Sequence, residues 1–219
     1  MYHAETFGRK AMIFDMDGTL LDSMPAWKDN LYQVALRFGV ELPPDFYDLY
    51  KLLISPEVAQ HMVEHYHVKG TVEEVFQAIN HGIVSYYANS ISPKPFAREL
   101  LEAYRAQGMK VVLLTGTERP LIDLVLRRLD FFQYFDLTCS CREAGGPKSS
   151  PVPFHYVLDR LGVKPEEAVM FEDGIHGVKS ANQCGIFTVG VHDSMWDDVA
   201  QEMASVAGRY VHSLKELLT

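Results

Sequence analysis

A regular alternation of apolar runs with helical patterns occupies residues 94–219 and constrains the fold more than any other feature. The runs KVVLLT (110–115), AVMFE (168–172) and IFTVGV (186–191) lack a polar face, which is typical of strands buried on both sides. Segments with helical spacing lie between them, such as FARELLEAYRAQG (96–108), which ends on a glycine. Strands that alternate with helices predict an α/β fold built on a parallel sheet with right-handed crossovers.

Residues 23–93 break this alternation. They follow a first predicted strand at 11–14 and contain no second strand pattern. Helical patterns are predicted there at about 24–39, 44–53, 56–66 and 71–88. Helix breakers mark both borders, in SMP (23–25) and in SISPKP (90–95). We therefore predict a Rossmann-like parallel-sheet core formed by residues 1–22 and 94–219, with residues 23–93 inserted as a helical cap domain.

The composition argues against several classes of function. The formal net charge of −9 disfavours a nucleic-acid-binding surface, which needs a basic stripe. No apolar run approaches the roughly 20 residues that cross a membrane, and the first ten residues, MYHAETFGRK, form no signal region. The odd number of cysteines favours free thiols in a reducing compartment. We expect a cytoplasmic protein, a monomer or a weak dimer, that binds neither nucleic acid nor a membrane.

Polar residues cluster where the predicted strands end. Asp15 and Asp17 follow the first strand, and their spacing places both side chains on one face of an extended chain. Further polar groups stand at the ends of two later strands and in a loop before a helix: Thr115, Gly116, Glu172, Asp173 and Lys148. In an open parallel sheet, ligands bind at the carboxyl ends of the strands. By itself, the Asp-x-Asp-Gly segment also fits an ordinary turn.

Taken together, these residue types indicate a phosphate site with a metal ion. Four carboxylates in one crevice repel one another unless a cation compensates them, and oxygen-rich sites suit Mg²⁺. A threonine hydroxyl, a backbone N–H beside a glycine and a lysine ammonium are the donors that a bound phosphoryl group needs. The sequence therefore predicts a site that holds a phosphoryl group, with Mg²⁺ as the cofactor.

Four segments carry a resemblance to a known family: FDMDGTLLDS (14–23), LLTGT (113–117), PKSSP (147–151) and FEDGIHGVKSA (171–181). With them, the chain resembles the haloacid dehalogenase-like (HAD) superfamily, in the small-cap branch of beta-phosphoglucomutases and phosphoglycolate phosphatases. The resemblance covers nearly the whole chain. It implies a Mg²⁺-dependent phosphatase that hydrolyses a small phosphate monoester, such as a sugar phosphate, phosphoglycolate or a nucleotide-like ester, through an aspartyl-phosphate.

The resemblance also implies a role for each matching residue. Asp15 is the implied nucleophile, and Asp17 protonates the leaving oxygen and then takes the proton of the hydrolytic water. Mg²⁺ is implied to bind the Asp15 carboxylate, the Asp17 carbonyl and Asp173, with Glu172 acting through a water molecule. The phosphoryl oxygens are implied to be held by two catalytic side chains and one backbone amide: Thr115, Lys148 and Gly116.

Two alternatives remain open at this stage. A beta-phosphoglucomutase-like phosphosugar mutase also keeps the second aspartate, but such mutases tend to carry a histidine where this chain has Trp27. A non-catalytic binding protein on the same fold would be expected to lose the nucleophile or the metal ligands. The dehalogenase and phosphonate hydrolase branches differ at the position of Asp17. Two departures from the family pattern, Ser149-Ser150 after the lysine and Gly174 after the acidic pair, leave the charged groups in place.

Two further patterns invite other interpretations. HMVEH (61–65), with His67 nearby, fits a zinc-peptidase motif, but a solvated helix face or a substrate-lining surface explains it as well. AGGPKSS (144–150) resembles a nucleotide-binding loop, but Pro147 precedes the lysine and the upstream glycine is missing, so we reject that interpretation. The candidates for selecting the substrate in the predicted cap are His61, His65 and Lys69.

Overall fold

The computed structural model describes residues 2–47 and 55–219, and these contain eight strands. The strands are β1 (Ala11–Phe14), β2 (Leu21–Asp22), β3 (Ser92–Pro93), β4 (Lys110–Thr115), β5 (Leu137–Ser140), β6 (Ala168–Glu172), β7 (Phe187–Val191) and β8 (Arg209–Val211). Six of them form one parallel sheet in the order β5-β4-β1-β6-β7-β8. The prediction of an α/β fold with a Rossmann-like parallel sheet is confirmed.

The helices of the described residues fall into two groups. Between β2 and β3 lie α1 (Met24–Arg37), α2 (Ser55–Tyr66) and α3 (Val72–Asn89). The later helices are α4 (Ala97–Ala106), α5 (Arg119–Leu129), α6 (Val152–Leu161), α7 (Ile175–Gln183) and α8 (Ala200–Val206). The short 3₁₀ helices are Phe132–Tyr134, Pro165–Glu167, Ser194–Val199 and Leu214–Leu217. The predicted helix at 44–53 extends into residues 48–54, which lie outside those described. No helix within the described ranges is long and apolar enough to cross a bilayer.

The chain forms two compact units. The larger unit holds Met1–Asp22 and Ser92–Thr219, and the smaller one holds Ser23–Ile91. The return to the larger unit comes two residues before the border predicted at residue 94. The reason is a short antiparallel pairing that the sequence did not reveal, in which Leu21 aligns with Pro93 and Asp22 with Ser92.

The central strand β1 positions the candidate site. It pairs with β4 on one side and with β6 on the other, so that Phe14 aligns with both Leu113 and Phe171. From β1 the strands run outward to β5 in one direction and to β8 in the other, so the strand order reverses beside β1. In open α/β sheets, the ligand crevice lies at the carboxyl ends of the strands at such a reversal.

Alternate residues of β1 pack on opposite faces of the sheet. Ile13 belongs to a buried cluster that includes Phe154 of α6. Phe14 points to the other face, where its ring stacks on Phe171 with the centroids 4.3 Å apart, and the ring of Tyr104 in α4 lies 6.0 Å away. Burial of both faces explains why the strand sequences show no polar alternation.

The smaller unit is built from helices that contact each other through buried side chains. Asn30 in α1 is buried, and its amide nitrogen donates a hydrogen bond to the carbonyl of Ile79 in α3 at 2.9 Å. The start of α3 is a capping box, in which Thr71 Oγ1 accepts from the N–H of Glu74 and Glu74 Oε2 accepts from the N–H of Thr71. Such a box satisfies two N–H groups that would otherwise lack helical partners.

Candidate active site

Asp15 lies one residue beyond β1, at the carboxyl edge of the sheet. Its backbone N–H donates to the carbonyl of Phe171 at 2.9 Å, which continues the pairing with β6 and brings Asp15 beside Glu172. The chain then turns sharply, because the N–H groups of Leu20 and Leu21 both donate to the carbonyl of Met16 at 2.9 Å. A strand that ends in this turn directs the Asp15 carboxylate into the interior, where only 5% of the residue is exposed.

Two glycines make room for carboxylates at this edge. Gly18 has a φ of +77°, and a Cβ placed there would lie 2.2 Å from an oxygen of Asp173. A Cβ on Gly177 in α7 would lie 2.6 Å from an oxygen of Glu172. Because such contacts are closer than real Cβ atoms allow, both positions require glycine to bring the backbone against the acidic side chains.

Three buried carboxylates lie around one largely buried ammonium. Oxygen atoms of Asp15, Glu172 and Asp173 all lie within 4.8 Å of one another, a spacing that could hold a metal ion. Lys148 Nζ lies 2.5 Å from Asp15 Oδ1 and 2.6 Å from Glu172 Oε2. We call these four side chains the acidic cluster. Its formal charge is negative by two, since three anions face one cation.

Burial and this excess of negative charge together shift the pKa values of Asp15, Asp173 and Lys148. Burial raises the pKa of Asp15 to about 6, because the stabilising charge of Lys148 only partly offsets the loss of water and the charge of Glu172. Burial and the charges of Glu172 and Asp15 hold the pKa of Asp173 well above its ordinary value. Burial alone would lower the pKa of Lys148, but its carboxylate neighbours outweigh that effect and raise it. The cluster thus lacks positive charge, and a divalent cation with a preference for oxygen ligands fits it.

The residues after β4 form a second, polar part of the site. Thr115 is buried, and its Oγ1 accepts a hydrogen bond from the N–H of Thr117 at 3.2 Å. Gly116 is exposed, and a Cβ placed there would meet no atom within 4 Å, so there is open space beside this residue. Thr117 Oγ1 donates to Asp17 Oδ2 at 2.5 Å. Thr117 therefore connects the end of β4 to the second aspartate of the first motif.

The structure thus sorts the predicted residues into two groups. The first group consists of side chains that contact or closely approach one another: Asp15, Glu172, Asp173 and Lys148. Asp17 is less buried than Asp15, and its carboxylate lies with Thr117 instead of in the group that could hold a metal ion. Thr115 and Gly116 lie beside Thr117.

Three side chains that contact the predicted residues were missed by sequence reasoning. Thr117 follows the quoted Thr115-Gly116 pair, and Thr19 lies inside the first motif, so both could have been found from their position in the motifs. Thr19 Oγ1 donates to Asp173 Oδ1 at 3.1 Å. Trp196 Nε1 donates to Asp173 Oδ2 at 2.9 Å, and no local pattern in the sequence points to it.

The histidine-rich helix does not form a comparable site. The rings of His61 and His65 lie 4.3 Å apart, and partial burial with the neighbouring His65 charge lowers the pKa of His61. Across the described part of the chain, the group formed by Asp15, Glu172 and Asp173 is the one set of three or more His, Cys, Asp or Glu side chains close enough to hold a metal ion. The structure therefore gives no support to the zinc interpretation of HMVEH.

A family profile described as haloacid dehalogenase-like hydrolase matches residues 9–185, which contain all seven predicted site residues. This chain belongs to that family. It is a HAD-like hydrolase, as its motifs predict.

Named relatives of this HAD-like hydrolase include phosphatases. The chain is 30% identical over 192 residues to a "Phosphorylated carbohydrates phosphatase" of Thermotoga maritima, with 87% of this chain and 89% of that protein covered. It is 27% identical over 186 residues to the "Fructose-1-phosphate phosphatase YqaB" of Escherichia coli, covering 82% and 95%. These relatives support the prediction of a phosphoric monoester hydrolase.

Solved structures share the fold over almost the full length. A Thermotoga maritima protein, described provisionally as a beta-phosphoglucomutase, is 29% identical, with a TM-score of 0.78 and 95% and 96% of the two chains covered. The protein CbbY of Rhodobacter sphaeroides, solved in complex with phosphate, has a TM-score of 0.83 at 21% identity, with the same coverage. The latter similarity is evidence of fold only.

Proposed function

We propose that this HAD-like hydrolase is a Mg²⁺-dependent phosphatase that cleaves a small phosphorylated sugar through an aspartyl-phosphate on Asp15. The observation that carries the proposal is the position of Lys148, whose ammonium lies 2.5 Å from Asp15 and 2.6 Å from Glu172 inside the acidic cluster. A largely buried lysine held between two carboxylates has no evident structural need, because apolar residues in all three positions would fill the same space at lower cost. Its chemistry suits a bound phosphoryl group.

The donors of the acidic cluster fit Mg²⁺, which prefers hard oxygen ligands. Asp15 and Asp173 would bind it through their carboxylates, Asp17 through its backbone carbonyl, and Glu172 through a water molecule. When bound, Mg²⁺ would supply the positive charge that the cluster lacks and would stabilise negative charge on the phosphoryl oxygens.

Asp15 would act as the nucleophile. Its carboxylate oxygen would form a bond to phosphorus while the bond between phosphorus and the sugar oxygen breaks. Lys148, the Thr115 hydroxyl and the amide at Gly116 would hold the phosphoryl oxygens in the transition state. The open space beside Gly116 supports this role, since a ligand oxygen can reach the backbone there.

Asp17 would move the protons. It would donate a proton to the sugar oxygen as that group leaves, and it would then take a proton from the water that attacks the aspartyl-phosphate. The second step releases inorganic phosphate and regenerates the Asp15 carboxylate. Thr117 would keep the Asp17 carboxylate in position through its hydrogen bond of 2.5 Å. The greater exposure of Asp17 compared with Asp15 suits a group that exchanges protons.

We favour phosphorylated sugars over the other small esters as substrates, with the pseudouridine 5'-phosphate named for two other relatives as the competing class. The names of three relatives specify phosphorylated carbohydrates, fructose 1-phosphate and hexitol phosphate. We also propose that the smaller unit acts as the cap and supplies the contacts to the sugar, with His61, His65 and Lys69 as its candidate residues. A cytoplasmic location and a monomer or weak dimer stay predictions.

A phosphosugar mutase is the second candidate, because one similar solved structure carries a provisional beta-phosphoglucomutase name. Trp27 argues against it. Only 7% of this residue is exposed, and its indole N–H donates to the hydroxyl of Tyr87 at 3.1 Å within the smaller unit. An indole N–H is a donor only and has no basic nitrogen that could take up a proton near neutral pH, so it cannot replace a histidine in proton transfer.

The proposal is tested with beta-glucose 1-phosphate and p-nitrophenyl phosphate as substrates. Asp15→Asn keeps the size of the side chain but removes the nucleophile, so we expect kcat to fall by about 10³-fold or more. Asp22→Asn is the matched control, because it makes the same change on an exposed aspartate of the same unit and should keep activity. Excess EDTA should abolish hydrolysis, and added Mg²⁺ should restore it.

Product analysis separates the two candidates. A phosphatase releases inorganic phosphate from beta-glucose 1-phosphate, whereas accumulation of glucose 6-phosphate with little free phosphate would establish the mutase. Full activity of the Asp15→Asn variant would rule out the covalent mechanism.

A further inference from the structure

Trp196 contacts the active site from a segment outside the four motifs. It lies in the 3₁₀ helix Ser194–Val199, which follows β7. Its indole nitrogen lies 2.9 Å from Asp173 Oδ2, and an indole N–H can only donate, so the carboxylate is the acceptor. The bond joins a half-buried aromatic residue to a carboxylate that is 4% exposed.

The segment that carries Trp196 is anchored by a buried ion pair. Asp193 caps the 3₁₀ helix, because its Oδ1 accepts from the N–H of Met195 at 3.0 Å. Its other oxygen, Oδ2, lies 2.8 Å from Lys94 Nζ, and both side chains are largely buried, at 14% and 8% exposed. Lys94 Nζ also donates to the carbonyl of His192 at 2.9 Å. The start of this segment is therefore held at both Asp193 and the residue before it.

Lys94 connects this segment to the first motif as well. Its backbone N–H donates to the carbonyl of Leu20 at 2.8 Å. The neighbour of Leu20 is Thr19, whose hydroxyl donates to Asp173 Oδ1 at 3.1 Å. One oxygen of Asp173 is thus held from the first motif, and the other is held by Trp196.

Two donors and a close backbone fix the direction of the Asp173 carboxylate. Each oxygen accepts one hydrogen bond, and the carboxylate lies against the backbone of Gly18, in the space that a Cβ there would fill. Each ionised carboxylate oxygen offers about two acceptor positions, so one position on each oxygen stays available to a cation. Groups that hold a metal ligand in place in this way raise the affinity of the site for the metal.

We propose that Trp196 is a positioning residue for Asp173 and that the Lys94–Asp193 ion pair holds it in place. The inference rests on the proposed function, because it takes Asp173 to be a Mg²⁺ ligand. It goes beyond that function because Trp196 lies outside the matched segment 9–185 and in none of the four motifs.

The first test measures Mg²⁺ affinity by isothermal titration calorimetry, without substrate. Trp196→Phe removes the N–H and keeps an aromatic ring, so we expect the Mg²⁺ dissociation constant to rise about 10-fold. Measured at saturating Mg²⁺, kcat should fall much less than the affinity. Trp27→Phe is the matched control, because it removes an indole donor of the smaller unit and should leave the Mg²⁺ dissociation constant unchanged. Asp173→Asn gives the Mg²⁺ dissociation constant expected when a metal ligand is lost.

The second test follows the indole N–H groups by NMR. The chain has two tryptophans, so the spectrum contains two indole signals, which the two Trp→Phe variants assign. Titration with Mg²⁺ should move the Trp196 signal and leave the Trp27 signal in place, and Asp173→Asn should remove the response. A role in folding alone would not produce this pattern.

The outcomes separate failure of this inference from failure of the proposed function. If the unaltered protein binds Mg²⁺ and hydrolyses its substrate, but Trp196→Phe binds Mg²⁺ equally well, the positioning role is wrong and the phosphatase proposal stands. A Trp196 signal that ignores Mg²⁺ also overturns the positioning role. If the unaltered protein neither binds Mg²⁺ nor hydrolyses phosphate esters, both proposals fail together.

Discussion

Two clusters of charged side chains in the larger unit have opposite effects on their carboxyl groups. In the acidic cluster, burial raises the pKa of Asp15 to about 6. Near the start of α5, the hydrogen bonds from Arg119 lower the pKa of Glu143 to about 2, although partial burial acts in the other direction. Both clusters pair a cation with carboxylates at hydrogen-bonding distance, so contact distance does not explain the difference.

Differences in charge balance and in exposure explain why the pKa values of Asp15 and Glu143 shift in opposite directions. Arg119 donates from Nε to Glu143 Oε1 at 2.9 Å and from Nη2 to Glu143 Oε2 at 2.6 Å, which makes a bidentate pair. Its Nη1 also lies 3.5 Å from Asp123 Oδ1, so one guanidinium faces two partly exposed carboxylates instead of three buried ones. The Arg119–Glu143 pair is 30% and 42% exposed. In the acidic cluster, one ammonium faces three carboxylates with almost no water. Such an arrangement opposes folding and is typical of a site that binds a ligand, whereas the Arg119–Glu143 pair is typical of structural stabilisation.

Removal of the cation from each cluster should give the largest difference. Lys148→Met should lower kcat by about 10²-fold or more, because one donor to the phosphoryl oxygens is lost. It should also lower the free energy of unfolding by about 3 kcal/mol, because buried carboxylates lose their partner. Arg119→Met should cost about 0.5 kcal/mol, since an exposed pair contributes little. Steady-state kinetics and urea denaturation measure both effects.

The informative quantity is the loss of stability in Lys148→Met relative to the loss in Arg119→Met. Equal losses of stability in Lys148→Met and Arg119→Met would show that burial does not distinguish the clusters. Full activity of Lys148→Met would contradict its role at the phosphoryl group, whatever the stability.

Removal of one anion from the acidic cluster should stabilise the metal-free protein. Asp173 has a pKa raised above its unfolded value, so its ionisation opposes folding as the pH rises past that unfolded value. Asp173→Asn should therefore increase the free energy of unfolding at pH 7 in EDTA by about 1 kcal/mol while activity is lost, which is a stability–activity trade-off. The gain should vanish near pH 4, where folding no longer requires the charged form. A loss of stability at pH 7 would contradict this account.

The smallest effect is expected at the Arg119–Glu143 pair, where the contribution to stability depends on pH in the opposite direction. The folded pKa of Glu143 is depressed, so its stabilising contribution is present above the ordinary value of 4.5 and is lost as the pH falls toward about 2. Glu143→Gln should cost about 0.5 kcal/mol at pH 7, a small value because the pair is partly solvated. Urea denaturation from pH 7 to pH 3 should show the gap between the two proteins closing. A constant gap would contradict the ion-pair explanation.

The sequence was most informative about features that a short stretch of neighbouring residues determines. The apolar runs predicted strands β1, β4, β6 and β7, because a strand buried on both faces must be apolar throughout. The position of Asp15 followed from the same run, since the residue after a central parallel strand lies at the ligand-binding edge. Glu172 and Asp173 followed in the same way from β6.

The missed features depend on contacts between distant segments. The pairing of Leu21–Asp22 with Ser92–Pro93 joins segments separated by the whole smaller unit, and each strand has only two residues, too few for a periodic pattern. Trp196 reaches Asp173 from the turn after β7, and its sequence neighbours carry no motif. Thr117 belongs to the LLTGT motif at the end of β4, but its hydrogen bond to Asp17 depends on how β1 and β4 align.

The sequence by itself determined the long strands of the parallel sheet and which charged residues stand at their ends, because apolar runs and periodicity are local properties of the chain. The tertiary structure decided how those charges balance. Only the packing of β1 against β4 and β6 brings three carboxylates to one ammonium, and burial of that imbalance raises the pKa values of Asp15 and Asp173. Electrostatic energy depends on distance and on the exclusion of water, and neither quantity can be read from residue order.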